Sequence, residues 1–385
     1  MLNGFGITPE HEAFRAEIVE FCDRQVRPRA AEIDETGEYP REIHAAMAAE
    51  GLLKHLIPPH LGGTGIDMLK RAILIEEFAR ASAAVCMIPQ VNELGVTPLN
   101  LFGSSEHQEQ WLKPFAEGKL FASFGLTEPD AGSDVANMAT TARMDGNHWV
   151  LDGRKAWICN FRQPGICTVI ARTNDKPGAK GLSAFVIPTD AEGLEAVEAE
   201  PTMGLRGSPT YMFTMNNVRV PATNMLGQEG QGFAIAMSSL DITRPAVAAQ
   251  ALGIARAAFE CAAEYATQRE TMGQPIINHQ AIGQMIADMD MKVRAARHLV
   301  YEANVALDQG ADDCSHRASV AKCYAADIAM QVATDAVQVL GGNGYSKNYP
   351  AERYFRDAKV TQIYEGANQI QRLIISRSIA RTYAV

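Results

Sequence analysis

The spacing of hydrophobic residues predicts helices at both ends of the chain. From about residue 8 to 120 the apolar positions recur every three to five residues, as at Phe14, Ile18 and Phe21, which is the spacing of amphipathic helices. From about Phe233 the chain is rich in alanine, and apolar stripes at intervals of three and four residues follow one another toward the C-terminus. Three or four long helices with short links are typical of a helical bundle.

Between these helical stretches the apolar period shortens, which predicts β-strands. The runs 167–170 and 182–187 are rich in apolar and β-branched residues, and a similar pattern surrounds Trp157. Asp145-Gly146 is a strong signal for a β-hairpin. We therefore predict an α+β multidomain fold with three segments that are helical, β and helical in turn: 1–120, 121–232 and 233–385.

Composition limits the class of protein. The chain has 385 residues, of which 47% are hydrophobic, enough for a large core and two or three domains. Its formal net charge is -10 and its Lys and Arg residues are scattered, so we expect no general attraction to nucleic acid or anionic membranes. No run of about 18 apolar residues predicts a membrane span. The start lacks a signal or transit pattern, and seven cysteines without C-x-x-C favour a reducing compartment. We expect a cytoplasmic protein.

Several common catalytic motifs are missing from the sequence. No G-x-G-x-x-G follows a predicted strand, which disfavours the usual nicotinamide site. No Walker-type loop or G-x-S-x-G elbow occurs. The nine histidines form neither H-x-x-x-H nor H-E-x-x-H, so a metal site is not indicated.

Polar segments lie at the predicted junctions. The glycine-containing stretch 124–134 carries Thr127 and Ser133 and could donate hydrogen bonds to a heteroaromatic edge or a phosphate; an irregular loop entering a β segment explains it equally well. Trp157, at a strand end, could cover a flat ligand, although the core is the commoner place for tryptophan.

The helical bundle carries three further candidates. Asp241 could cap a long helix beginning near it, or bind an amide or phosphate group together with Arg244. Arg269 is a candidate anion clamp, with a charged helix end closed by Gly273 as the alternative. The run 341–344, Gly-Gly-Asn-Gly, fits a glycine cap and turn as well as close backbone approach to a cofactor.

The segment Tyr364-Glu365-Gly366 precedes a predicted C-terminal helix. A carboxylate beside a glycine at the mouth of a helix is presented to a ligand with little steric cover, and it could take a proton from carbon. The alternative is an acid in the first helical turn, favourable to the helix dipole.

Taken together and in this order, these segments resemble the acyl-CoA dehydrogenase family over nearly the whole chain. The most specific stretches are Leu126–Pro129, Ala131–Asp134, Arg269–Pro275, Gln338 with Gly341–Tyr345, Tyr349-Pro350 with Arg356–Ala358, and Ile363–Gly366. The resemblance implies an N-terminal all-α domain, a middle β-barrel or sandwich domain and a C-terminal four-helix bundle. It also implies a homotetramer in which FAD lies between the β domain and the bundle, with part of each site supplied by a neighbouring subunit.

The resemblance also implies a reaction and a set of site residues. Glu365 would take the α-proton of an acyl-CoA thioester while a hydride leaves Cβ for flavin N5, and the electrons would pass to electron-transferring flavoprotein. The Glu365 backbone N–H and a ribityl hydroxyl would hold the thioester oxygen. The implied cofactor contacts are Leu126, Thr127, Ser133, Trp157, Cys159, Arg269, Gln280, Gln338, Gly342, Ala367 and Gln369. The implied substrate contacts are Ser133, Asp241, Arg244, Glu365 and Gly366.

The chain departs from the family pattern at three positions. Cys159 and Ala367 stand where the family usually has threonine, and Met272 stands for phenylalanine. A thiol is a weaker donor than a hydroxyl. Some members place the catalytic glutamate where this chain has Thr243, which favours Glu365 here. The alternatives are an oxidase, a desulfinase, an enoyl-CoA reductase or a catalytically silent flavoprotein scaffold, and the retained Glu365 disfavours the last. The acyl chain stays open among straight, branched, cyclic and aromatic groups.

Overall fold

The computed structural model describes residues 6–384, and its N-terminal part is helical as predicted. The helices are α1 (Pro9–Phe21), α2 (Ala30–Thr36), α3 (Arg41–Ala49), α4 (Met68–Ala81), α5 (Ala83–Phe102), α6 (Ser105–His107) and α7 (Lys113–Ala116). Side-chain caps fix several starts: Asp67 accepts the Lys70 N–H at 2.6 Å before α4, and Ser82 accepts the Val85 N–H at 3.4 Å before α5. The predicted apolar stripe of α1 is buried, with Ile18 and Phe21 in the core.

The middle of the chain forms a mixed β-sheet, which confirms the predicted strands. The strands are β1 (Phe121–Gly125), β2 (Thr141–Asp145), β3 (His148–Cys159), β4 (Gly165–Arg172), β5 (Leu182–Pro188), β6 (Leu194–Ala199), β7 (Thr210–Pro221) and β8 (Met225–Leu226). Their order is β6-β7-β3-β2-β4-β5-β8, with β1 pairing parallel to β4. The predicted hairpin joins β2 to β3, and Gly146 takes the left-handed φ of 66° that the turn requires.

The C-terminal part is a set of long helices. Its elements are α8 (Gly232–Gln268), β9 (Glu270–Thr271), β10 (Gln274–Pro275), α9 (Gln280–Asp308), α10 (Cys314–Leu340), α11 (Ala351–Thr361) and α12 (Asn368–Tyr383). Strands β9 and β10 form a small hairpin of their own. The apolar stripes predicted for this region fall on α8, α9 and α10.

Helix α8 begins earlier than expected, so the prediction of a start capped by Asp241 was wrong. The helix starts at Gly232, and both Asp241 and Pro245 lie inside it. Pro245 has no N–H to donate to the Asp241 carbonyl, but burial of neighbours such as Ala236 and Leu240 sustains the helix across this gap. Gly273 does not close a helix either, since it lies in the β9–β10 turn with φ 80°.

Helix α8 is the centre of the helical core. It is the one helix within 6–384 that is long and apolar enough by composition to span a membrane, yet 72% of its most apolar window is buried inside the protein. A Cβ added at Gly253 would lie 2.4 Å from the Glu76 carbonyl oxygen. This close approach of α4 and α8 shows that the apolar surface of α8 belongs to the core.

A buried charge cluster joins the two helical parts. The carboxylates of Glu76 and Glu77, on α4, are both buried. Their partners are Arg15 on α1, Arg256 on α8, and Arg297 and Tyr301 on α9. Burial alone would raise the pKa of Glu76, but the surrounding arginines lower it to about 2.

Candidate functional site

The segment between α11 and α12 holds Glu365 in an unusual backbone conformation. Glu365 has φ 54° and Gly366 has φ 89°, both left-handed. A non-glycine residue in this region carries roughly 1–3 kcal/mol of strain, which surrounding structure must offset. Glycine suits position 366 because a φ of 89° would strain any other residue, and a Cβ there would also displace the Gln371 amide, whose Nε2 would lie 2.3 Å away.

Three side chains hold this turn through its carbonyl groups. Arg244 Nε and Gln371 Nε2 each donate to the Glu365 carbonyl at 3.3 Å, and Gln371 Nε2 also reaches the Gly366 carbonyl at 3.1 Å. Lys322 Nζ donates to the same Gly366 carbonyl at 2.8 Å. Within the described part of the chain, no group accepts the backbone N–H of Glu365, so this donor is available to an external oxygen.

The Glu365 carboxyl group is placed to act as a base. Thr243 Oγ1 donates to its Oε2 at 3.3 Å. Burial raises the pKa of Glu365, while Arg244 and Thr243 pull it back down. A carboxylate with a raised pKa that remains partly accessible accepts protons more readily than one in water.

The predicted partners Asp241 and Arg244 lie beside this carboxyl group. Arg244 is buried, and its Nη1 lies 2.5 Å from Asp241 Oδ1. Ser315 Oγ donates to the same Asp241 oxygen at 3.2 Å. Arg244 therefore contacts the Glu365 segment directly, while Asp241 is half-buried and fixes the guanidinium.

The loop that follows β1 is fixed to β3. The Ala156 N–H donates to the Thr127 carbonyl at 2.9 Å. Lys155 Nζ donates to the Leu126 carbonyl at 3.2 Å and to Glu128 Oε1 at 2.8 Å. Lys155 is buried, which lowers its pKa to about 8. Leu126 and Thr127 are thus held against β3, whereas Ser133 lies on the exposed outer part of the loop.

Trp157 lies on the surface and not in the core. The pairing of β3 with β7 shifts register between Lys155 and Ile158, and Trp157 within this irregularity has φ 63° and is 60% exposed. Two residues later, Cys159 Sγ lies 3.1 Å from Thr210 Oγ1. The structure therefore presents a flat aromatic surface next to the fixed loop, with a thiol and a hydroxyl close by.

A second group of predicted residues lines a cavity at the other end of α8. The cavity has a volume of about 460 Å³, and its wall includes Arg269, Thr271 and Gly342. Among residues 6–384, no carboxylate forms an ion pair with Arg269. A Cβ added at Gly342 would meet no atom within 4 Å. A free guanidinium beside open glycine backbone is suited to an anion such as a phosphate.

The remaining predicted positions are more peripheral. Gln280, at the start of α9, and Gln338, in the last turn of α10, are exposed and flank the cavity without lining it. Met272 is 94% exposed at the tip of the β9–β10 turn. Ala367 is half-buried immediately before α12, and Gln369 is exposed in its first turn.

One chain does not bring all the predicted residues together. Arg244 and Arg269 are separated by 25 positions along α8, which corresponds to about 38 Å at 1.5 Å per residue. The Glu365 site and the Arg269 cavity are therefore distinct in one protomer.

The predicted cofactor residues form two groups, one suited to the flavin ring of FAD and the other to its pyrophosphate. The exposed Trp157 ring and the fixed 126–127 backbone suit a flat ring with polar edges. The unpaired Arg269 beside Gly342 suits a pyrophosphate.

Sequence reasoning missed several buried charged residues near these sites: Arg71, Glu93, Lys155 and Lys322. Lys322 is fully buried, which lowers its pKa to about 8, and its Nζ donates to Asn368 Oδ1 at 2.9 Å as well as to Gly366. The only signal for these residues in the sequence was a charged side chain within an apolar stretch. Such a pattern indicates a buried charge but does not identify its partner.

Comparison with known proteins gives consistent matches over nearly the whole chain. Family models described as the acyl-CoA dehydrogenase N-terminal, middle and C-terminal domains match residues 8–119, 123–218 and 230–380. A probable acyl-CoA dehydrogenase of Mycobacterium tuberculosis is 43% identical over 377 residues, covering 98% of this chain and 97% of the relative.

Solved structures agree with these sequence matches. Butyryl-CoA dehydrogenase from Megasphaera elsdenii has a TM-score of 0.95 at 37% identity, covering 98% of this chain and 100% of that chain. A chain from a structure described as the electron transferring flavoprotein of Acidaminococcus fermentans also has a TM-score of 0.95, at 39% identity, covering 98% of this chain and 99% of that one.

Proposed function

Because the chain belongs to the acyl-CoA dehydrogenase family, whose members are flavoprotein oxidoreductases, we propose that it removes one hydrogen each from Cα and Cβ of an acyl-CoA thioester. The observation that carries this proposal is the geometry of Glu365. Its carboxyl group meets Thr243, its pKa is raised by burial, and its left-handed backbone leaves the N–H free. FAD, when bound, supplies the acceptor for the hydride from Cβ.

Glu365 takes the proton from Cα in this proposal. A proton beside a thioester is only weakly acidic, so the carbonyl oxygen must be stabilised as enolate character develops. The free Glu365 N–H donates to that oxygen, and Arg244 keeps the peptide in place through the Glu365 carbonyl. Gly366 permits the turn, and Lys322 stabilises it by donating a hydrogen bond to the Gly366 carbonyl. The base and the oxyanion donor thus belong to one residue.

The two groups of cofactor residues bind different parts of FAD. The ring contacts Leu126, Thr127, Trp157 and Cys159, with Thr210 supplying the hydroxyl that Cys159 lacks. Arg269 and Gly342 bind the pyrophosphate of FAD held mainly by a neighbouring protomer, with Gln280 and Gln338 at its edge. The separation along α8 supports a site shared between protomers, since one chain cannot bring both groups to the same FAD molecule. Ser133, Ala367 and Gln369 complete the contacts.

The remaining assignments follow from the same proposal. Electron-transferring flavoprotein is the electron acceptor, and the chain assembles as a homotetramer. All seven cysteines lie within the described residues as free thiols, which supports a reducing, cytoplasmic location. The domain limits 1–120, 121–232 and 233–385 remain our prediction.

The substitution Glu365→Gln tests the role of the base. We expect the variant to retain FAD and bind acyl-CoA but to reduce its flavin on the order of 10²–10⁴-fold more slowly, the usual weight of a positioned general base. The measurement is anaerobic bleaching of the flavin by a panel of acyl-CoA thioesters.

Glu195→Gln, on the exposed edge of β6, is the matched control and should behave like the wild type. Turnover of Glu365→Gln within about tenfold of wild type, about 1.4 kcal/mol of barrier, would show that Glu365 is not the base. Rapid hydrogen peroxide production in air would instead identify an oxidase.

A further inference from the structure

Arg71, in the first turns of α4, is a buried cation that the proposed reaction does not use. Its side chain is 0% exposed. Its Nε donates to Glu93 Oε2 at 2.7 Å, and its Nη1 donates to the Ile242 carbonyl of α8 at 2.8 Å. Glu93, on α5, is itself only 3% exposed. Arg71 therefore connects three helices through one guanidinium group.

One nitrogen of this guanidinium lacks a hydrogen-bond acceptor. Arg71 Nη2 is buried, and no described residue accepts a hydrogen bond from it. Leaving a buried donor of this kind unpaired costs about 1–3 kcal/mol, and more when the group is charged. Unpaired buried polar groups in folded proteins are rare and call for a specific explanation.

The position of Arg71 relative to the base suggests that explanation. Its partner Ile242 immediately precedes Thr243, whose hydroxyl contacts the Glu365 carboxylate. Arg71 is also among the cations that lower the pKa of Glu365, so its charge lies near the reacting centre. Through Ile242, Arg71 is therefore linked to the residue that contacts the carboxyl group of the base.

Further buried polar side chains lie beside Glu93 on α5 and beside Tyr364, the neighbour of the base. Gln90 and Glu93, on α5, are both buried. The Tyr364 hydroxyl, next to the base, donates to Gln250 Oε1. A pocket selected only for hydrocarbon would gain from apolar residues at these positions, because buried polar groups are costly unless they are paired.

On the basis of the function proposed above, we propose that Arg71 Nη2 selects an acyl-CoA whose acyl group carries a hydrogen-bond-accepting oxygen at Cγ or beyond. The oxygen cannot be closer to the thioester, because Cα and Cβ are the carbons that lose hydrogen. It can belong to a hydroxyl, a carbonyl or a carboxylate group. Glu93 already balances the charge of Arg71, which favours the two neutral groups.

The test is a comparison of thioesters of equal chain length on the wild-type holoenzyme. Hexanoyl-CoA is compared with oxo and hydroxy derivatives whose oxygen is moved outward from Cγ one carbon at a time, and with the corresponding terminal carboxylate. We expect at least one oxygenated thioester to exceed hexanoyl-CoA about tenfold or more in kcat/KM for flavin reduction. A buried donor left unpaired costs enough free energy to give a discrimination of this order.

Three variants locate the preference. Arg71→Met should abolish it, whereas Arg80→Met, at the other end of α4 and paired with Glu260 at 2.6 Å, should leave it unchanged. Glu93→Gln should shift the preference toward the carboxylate, since it removes the negative charge beside Arg71. The comparison on the wild-type enzyme is decisive even if Arg71→Met fails to fold.

The outcomes separate this inference from the proposed function. If hydrocarbon thioesters reduce the flavin best at every position, the role of Arg71 is refuted and the dehydrogenase proposal stands. If no thioester reduces the flavin, the proposed function fails. In that case tighter binding of the oxygenated thioesters, read from the perturbed flavin spectrum, would still support the Arg71 contact, and equal or weaker binding would refute it.

Discussion

At the scale of single residues, the proposed chemistry depends on how Glu365 is held. Its backbone strain is offset by hydrogen bonds from Arg244, Gln371 and Lys322 to two neighbouring carbonyl groups. Burial raises the pKa of its carboxyl group, while nearby cations such as Arg244 and the hydrogen bond from Thr243 lower it. Single substitutions among these neighbours should therefore change the behaviour of the base measurably.

Replacing Thr243 by valine should move the pH dependence of the reaction. The hydroxyl of Thr243 favours the ionised form of Glu365, so its loss raises the pKa of Glu365 further. Because the base acts only when it is deprotonated, the acidic limb of kcat/KM should move to higher pH.

The matched control is Thr243→Ser, which keeps the hydroxyl group and should keep the wild-type profile. An acidic limb that stays in place in Thr243→Val, or moves to lower pH, would contradict the assignment of Glu365 as the titrating base.

At the scale of secondary-structure elements, the loop after β1 is positioned by the buried ion pair between Lys155 and Glu128. Lys155, on β3, reaches both the Leu126 carbonyl and the Glu128 carboxylate. Glu128 in turn accepts the N–H groups of Ala139 and Thr140 at 2.6 and 3.0 Å. The exposed outer part of the loop, which carries Ser133, is therefore held in place by a buried ion pair.

The substitution Lys155→Met should have two effects: it should loosen this loop and lower the stability of the fold. Removing one partner of a buried pair leaves the other charge uncompensated, which costs roughly 3–5 kcal/mol. We expect a lower melting temperature and a purified protein with less than the full complement of flavin, measured by calorimetry and by the visible absorbance spectrum.

Two further variants make this result specific. Lys119→Met, at an exposed site, should have little effect on either measurement. The double variant Lys155→Met with Glu128→Gln should recover part of the lost stability, because it removes the unpaired charge. A single variant as stable and as yellow as the wild type would exclude a supporting role for the pair.

At the scale of the whole molecule, α8 separates the two groups of cofactor residues. The Glu365 site lies near the first third of this helix, and the Arg269 cavity lies at its C-terminal end. Flavin binding and assembly of protomers should therefore be coupled.

Arg269→Ala should weaken FAD retention without affecting Glu365. The guanidinium has no ion-pair partner among residues 6–384, so its removal disturbs no internal salt bridge. We expect flavin loss that grows as the protein is diluted, measured by absorbance alongside size-exclusion chromatography. Arg143→Ala, on the exposed edge of β2, is the control. A fully flavinated Arg269→Ala tetramer would rule out the pyrophosphate assignment.

Much of the fold could be predicted from sequence because burial imposes periodicity on side chains. The stripes of α1, α9 and α10 and the β2–β3 hairpin follow directly from it. The start of α8 was missed because Asp241 and Pro245 resemble a helix beginning, and only tertiary packing carries the helix past them.

The candidate site was predictable only in part, for a related reason. Glu365, Trp157 and Arg269 stand in recognisable local motifs. The structure places Glu365 in the turn before α12, Trp157 on the surface and Arg269 in the wall of a cavity. Arg71 and Lys322 lie in ordinary helical sequence, and their partners are more than twenty residues away. Contacts at that separation arise from the packing of elements and are not specified by local pattern.

The buried carboxylates Glu76 and Glu77 have a consequence for how this chain can be divided. Two of their four arginine partners, Arg256 on α8 and Arg297 on α9, follow the sheet in sequence, and one continuous apolar core includes residues from both helical ends. The first hundred residues are therefore half of a folding unit, and the β segment is inserted between its two halves. A fragment cut before the sheet would keep Arg15 and Arg80 but lose Arg256 and Arg297, so we expect the two helical ends to fold together.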